Sequence, residues 1–158
     1  MRTQRQVLMS EPFDDTHGIE AATWSQLADA ALKVRQRAHV PYSEFPVGAA
    51  VLTDSHEIFT GCNVEVASIG ATVCAERTAI GCAISEGHSK FLALSVVTGV
   101  EPPSAPCGIC RQVLAEFCED LPILLVHPAG TYRFTTLDAL LPMRFSGLDF
   151  LDDSQSKS

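Results

Sequence analysis

Four residues are spaced so that they can do chemistry together. Cys74 and Glu76 lie in Thr72-Val73-Cys74-Ala75-Glu76-Arg77-Thr78-Ala79, and Cys107 and Cys110 lie in Ala105-Pro106-Cys107-Gly108-Ile109-Cys110-Arg111-Gln112. Two cysteines separated by two residues can point their sulfurs at one ion, and a thiolate from a distant segment adds a third ligand. The result is a tetrahedral centre with one position left over. A structural zinc site is normally closed by a fourth protein ligand, whereas a catalytic one leaves that position to water. Glu76, two residues after Cys74, is a carboxylate placed to handle the protons of such a water, and an open site beside an acid points to hydrolysis. The rival is a structural zinc module that mediates protein contacts. It requires a fourth ligand from Cys62, Cys82 or a histidine, none of which has a favourable spacing.

The elements that must position these residues follow from periodicity. Thr23 with Gln26 resembles a capping box, and Leu27, Ala31, Val34 and Ala38 repeat at helical spacing up to Pro41, so a first helix begins at 23. Pro41-Tyr42-Ser43-Glu44-Phe45-Pro46 is a rigid connector. The apolar run 47–52 predicts a strand buried on both faces, and 58–64 its antiparallel partner across the turn residues Asp54-Ser55-His56. A helix over 74–87 ends on Gly87, and a third strand covers 91–98. A helix over 108–118, strands at 123–126 and 132–134, and a short helix at 137–141 complete the series. Strands alternating with helices imply an α/β fold, a sheet covered on both faces. On this layout Cys74 starts one helix and Cys107 with Cys110 another. Two helix N-termini then converge on the metal, and their partial positive charge withdraws some of the negative charge of three thiolates.

One domain is expected over 23–151, with a flexible arm at 1–22 and a polar tail at 152–158. The chain is 46% hydrophobic and 19% charged, an ordinary globular composition. Its formal charge of -8 disfavours a nucleic-acid partner, which would require clustered Lys and Arg, and favours a small-molecule substrate. No apolar run approaches a membrane span, and the first fifteen residues lack the apolar core and cleavage site of a secretory signal. A Cys-x-x-Cys spacing in that setting reads as thiolate ligation in a cytoplasmic protein, with Cys62, Cys82 and Cys118 as small buried hydrophobes.

Cys-x-Glu followed by Pro-Cys-x-x-Cys is a known signature of zinc deaminases acting on nucleobases. From Trp24 to Phe145 the chain resembles the small, all-cysteine class of cytidine deaminase. The resemblance implies a three-layer α/β/α sandwich with a central mixed five-stranded sheet, and Zn²⁺ held by Cys74, Cys107 and Cys110. It implies that Glu76 delivers a proton to N3 of the pyrimidine and later to the departing amine, and that Arg77 hydrogen-bonds a ligand sulfur. Phe45 would pack against the pyrimidine, Asn63 and Glu65 would hold the ribose 3′-hydroxyl, and Ala75 would add a substrate contact. Phe145, after Leu140-Leu141-Pro142, would reach the active site of a neighbouring subunit in a homotetramer with shared sites. The implied reaction converts cytidine or deoxycytidine to the uridine form with release of ammonia, in pyrimidine salvage. Two positions depart from the family pattern: Val66 stands where Asn is usual, and Ile69 where Tyr is usual. They motivate the alternative of a related aminated nucleoside or a nucleoside antibiotic. A nucleic-acid deaminase would require a basic groove that the composition lacks.

Overall fold

The computed structural model describes Phe13 and residues 16–147. Helix α1, Ala21–Arg35, buries Trp24, Leu27, Ala28 and Ala31, an i, i+3, i+4, i+7 stripe that can only be satisfied against another layer. Lys33 and Arg35 sit in its last turn, where the helix dipole favours cations. The helix starts two residues before the expected capping box. Its N-cap is Glu20, without a side-chain cap, and Thr23 lies inside the first turn, so that expectation is corrected. Tertiary burial of Trp24 and its indole hydrogen bond to the Thr16 carbonyl at 3.3 Å set the start instead.

The hairpin predicted from the alternation of apolar runs and turn residues is present as β1, Gly48–Thr53, antiparallel to β2, Ile58–Cys62. Every residue of β1 is buried, as a strand covered on both faces requires. Strand β3, Phe91–Val97, pairs antiparallel with β1 on its other side and parallel with β4, Pro122–Val126, which pairs antiparallel with β5, Tyr132–Thr136. The sheet order is β2-β1-β3-β4-β5, so the sheet is mixed and five-stranded, with its single parallel pair at β3 and β4. Helices α2, Ala75–Ser85, and α3, Gly108–Phe117, lie on the face opposite α1, and α4, Leu137–Leu140, follows β5. The expected α/β/α layering is therefore found.

The two faces have separate cores. Ala49, Val51, Leu94, Val96, Ile123 and Leu125 pack under α2 and α3, while Ala50, Leu52, Ala93, Val97, Leu124 and Val126 pack under α1. Strand residues alternate between the two sets, because successive side chains on a strand point to opposite faces. Two glycines allow the helices to sit directly on the hairpin. A Cβ at Gly48 would lie 2.0 Å from the Ala31 carbonyl oxygen of α1, and one at Gly61 would lie 2.3 Å from the Ala79 nitrogen of α2. Gly87, at φ +94°, ends the α2 segment in the left-handed region as expected.

Several expectations end differently. Phe13, assigned to the arm, is buried against Tyr132 and Phe134 in edge-to-face contacts at 4.8 and 6.2 Å. Residues 1–12 and the tail 152–158 lie outside the described residues. Strand β2 stops at Cys62; Val64 leaves the sheet and bridges Val73 and His39. Cys118 is buried and Cys62 partly so, but Cys82 is exposed on α2, which corrects its reading as a core residue.

Candidate active site

Both helix N-termini arrive where their sequences place them. Cys74 is the N-cap of α2 and Cys107 the N-cap of α3, each in an extended conformation and neither capping its helix through its side chain. An N-cap side chain points toward the residue three positions on. With Cys-x-x-Cys laid across a helix start, that residue is Cys110, in the first turn of α3. The Cys107 and Cys110 sulfurs lie 3.5 Å apart, and Cys74 Sγ is 3.8 Å from Cys107 Sγ. All three lie within 4.8 Å of one another, and among the described residues this is the one group of three or more such donors able to hold a metal.

The spacing fits zinc. With Zn–S bonds of about 2.3 Å, two sulfurs on a tetrahedral ion stand about 3.8 Å apart. The sulfurs satisfy one another by hydrogen bonds that a divalent cation would displace along with their protons. The hydrogen bond from Cys110, aided by Arg77 and Cys107, draws the Cys74 thiol down to about 5 despite burial, and donating that bond holds the Cys110 thiol up.

Glu76 occupies the first turn of α2 and is only 4% exposed. Burial raises its carboxyl above the ordinary glutamate range, and the neighbouring Cys74 thiolate adds to the rise. Arg77 reaches back along the same turn. Its Nη2 donates to the Thr72 carbonyl at 2.7 Å and lies 3.9 Å from Cys74 Sγ, while its buried Nε has no hydrogen-bond partner in the structure. A guanidinium held by a carbonyl on one side and a thiolate on the other is positioned to offset thiolate charge.

Asn63 and Glu65 lie beyond β2 and are each 8% exposed. The Asn63 Nδ2 donates to the Phe45 carbonyl at 2.9 Å, and its Oδ1 accepts from the Val47 N–H at 2.8 Å. The Glu65 carboxylate accepts from the backbone N–H groups of Tyr42 at 3.1 Å and Ser43 at 3.2 Å, and from the Ser43 hydroxyl. The Ser43 hydroxyl bond leads the causes that hold its carboxyl below the usual range, with the two N–H bonds assisting against burial. These two side chains thus bind the connector that carries Phe45, which is itself half-buried. Ala75 opens α2 and is fully buried.

Phe145 is 66% exposed, and its carbonyl accepts from Gln112 Nε2 at 2.8 Å, which ties the C-terminal segment to α3 near Cys110. Arg111 strengthens the same tie: its Nε donates to the Pro106 carbonyl and its Nη1 to the Leu140 carbonyl, both at 2.7 Å. Neither Ser43 nor Arg111 is singled out by the sequence reading. For Arg111 a signal exists, since a cation in the first turn of a helix opposes the dipole and calls for another reason to be there. Ser43 offers no such signal.

Residues 22–124 match the family described as the cytidine and deoxycytidylate deaminase zinc-binding region. A cytidine deaminase of Sporosarcina psychrophila is 49% identical over 118 residues, covering 74% of this chain and 87% of that protein. The cytidine deaminase of Mycobacterium tuberculosis strain H37Rv is 46% identical over 129 residues, covering 81% of this chain and 92% of the relative. Among solved structures, the cytidine deaminase from Burkholderia pseudomallei superposes with a TM-score of 0.73 at 44% identity, over 76% of this chain and 97% of that one.

Proposed function

We propose a function whose premise is kinship: the chain belongs to the cytidine and deoxycytidylate deaminase family, and it is a zinc hydrolase that deaminates cytidine and deoxycytidine to uridine and deoxyuridine in pyrimidine salvage. The observation that carries this reading is the meeting of three thiols at two helix starts beside a buried glutamate. Zinc, held by Cys74, Cys107 and Cys110, supplies the Lewis acid that makes water a nucleophile at neutral pH. Glu76 would take one proton from water and give it to N3 of the ring, then take the remaining proton from the oxygen now bonded to C4 and give it to the exocyclic amine. The C4–N bond breaks, a C4–O bond has formed, and ammonia leaves. A buried carboxylate suits this task because its affinity for protons lies closer to neutrality than that of a solvated one.

The remaining assignments have a role each. Arg77 offsets the charge of three thiolates on one divalent ion. Phe45 packs on the pyrimidine, Asn63 and Glu65 take the sugar 3′-hydroxyl, and Ala75 adds a substrate contact. Phe145 completes the site of a neighbouring copy within a homotetramer. Exposure of Phe145, Ile69 at 62% and Ile109 at 62% on one chain supports an assembly that covers them. A cytoplasmic setting follows from thiolate ligation, which requires reduced cysteines, and no helix among the described residues is long and apolar enough to cross a membrane.

Val66 and Ile69, both exposed shortly after Asn63 and Glu65 in the chain, support a second reading in which a related aminated nucleoside or a nucleoside antibiotic is preferred. The test is ammonia release by the zinc-replete protein across a panel of nucleosides, with Glu76→Gln alongside. The expected outcome is release from cytidine and deoxycytidine that falls by at least about 10²- to 10⁴-fold in the variant, while its zinc content is unchanged. Release only from other amines would favour the second reading, and a silent panel with zinc bound would leave the structural-module reading in the lead.

A further inference from the structure

We propose that Ser43 is a positioning residue for the sugar end of the site, holding Glu65 and the 41–47 connector so that the Asn63 and Glu65 pair retains room for a single hydroxyl group. The inference rests on the proposed reading of that pair as the sugar contact.

A side-chain amide has two N–H groups and two lone pairs, and a carboxylate has about four lone-pair sites. One N–H of Asn63 goes to the Phe45 carbonyl, and its oxygen receives the Val47 N–H. On Glu65, Oε2 takes the Tyr42 and Ser43 N–H groups and Oε1 takes the Ser43 hydroxyl. Within this set Asn63 has one N–H to spare and Glu65 Oε1 has one lone pair. A hydroxyl group is the complement of those two, because it donates once and accepts.

The pair is held on one side of the chain. Residues 63 and 65 are two apart in an extended segment, so their side chains share a face. That segment is pinned on both sides: His39 N–H donates to Asn63 O at 3.0 Å, Glu65 N–H to His39 O at 2.8 Å, and Val64 exchanges backbone bonds with Val73 at 2.9 and 3.0 Å. The backbone fixes where the pair sits, and Ser43 governs how the carboxylate is turned. Its hydroxyl donates to Glu65 and accepts from the Phe45 N–H at 3.1 Å, joining the carboxylate to the residue proposed to pack on the base. Without that hydroxyl, Oε1 has a second open site and the terminal torsion of Glu65 loses one of its three restraints. Glu44, at φ +53°, shows how tightly the connector is turned around this point.

The experiment compares cytidine with 2′,3′-dideoxycytidine, which lacks the hydroxyl in question, on the wild type, Ser43→Ala and Ser43→Thr. In Ser43→Ala the KM for cytidine should rise about tenfold, the scale of one lost hydrogen bond, with kcat within about twofold. The KM for the dideoxy analogue should stay put, and Ser43→Thr should restore the cytidine value. Amide hydrogen exchange at residues 42, 43 and 45 should accelerate in Ser43→Ala. A rise shared equally by both nucleosides, or no change in either, would overturn the Ser43 role while leaving the deaminase reading intact. No turnover of cytidine by the wild type would remove the deaminase reading, and this role with it.

Discussion

Glu65 illustrates how a single side chain is tuned by what it accepts. Its carboxyl sits below the ordinary range of 4.5, led by the Ser43 hydroxyl bond. A group whose folded-state pKa is depressed adds stability above its unfolded pKa and loses it as pH falls through the folded value. Wild type should therefore exceed Glu65→Gln in stability at neutral pH, and the gap should close as the pH drops below 4.5. Urea denaturation of both proteins across that range is the check, and a gap that persists in acid would show that the charge is not what holds the connector. Cys118 follows the opposite rule. Burial pushes its thiol up to about 11, so it stays protonated and serves as packing rather than as a further ligand.

Among the elements, the hairpin of β1 and β2 decides where the start of α2 stands, because α2 rests directly on its backbone. Gly61 is the contact point: an added Cβ would lie 2.3 Å from the Ala79 nitrogen and 2.5 Å from the Ala75 carbonyl oxygen. Both neighbours are backbone of α2, which cannot move aside as a flexible side chain would. Gly61→Ala should cost about 3 kcal/mol, at the upper end of what overpacking costs, and should displace the helix that bears Cys74 and Glu76. A urea midpoint and a zinc titration on the same sample would test this; unchanged midpoint and affinity would mean the helix has slack there. The Cys107 and Cys110 pair is secured differently. Arg111 ties the residue before Cys107 to Leu140, so the start of α3 is braced by the C-terminal segment and not by the hairpin.

At the scale of the molecule, the two helix starts are brought together by the mixed sheet. Strand β3 runs parallel to β4 and antiparallel to β1, so the loop that leaves β3 opens toward the end of the sheet at which α2 also begins. The aromatic group of Phe13, Trp24, Tyr132 and Phe134 closes the opposite face beside the edge strand β5. The proposed homotetramer should give, by light scattering, a mass four times that of the 17.0 kDa chain. A monomer at catalytic concentrations would dismiss both the assembly and the shared role of Phe145.

The amino-acid sequence by itself determined the donor set, the neighbouring acid, the order of strands and helices and the layering. These signals are local: apolar periodicity sets an element, and Cys-x-x-Cys across a helix start brings two sulfurs together whatever lies elsewhere. Only the tertiary structure decided which backbone groups Asn63 and Glu65 hold, where Arg111 reaches, that α1 starts at Ala21 and that Cys82 is exposed while Phe13 is buried. The reason is physical. A hydrogen bond or a buried ring is settled by atoms from segments far apart in the chain, and no spacing along a single segment specifies which of several distant partners will arrive.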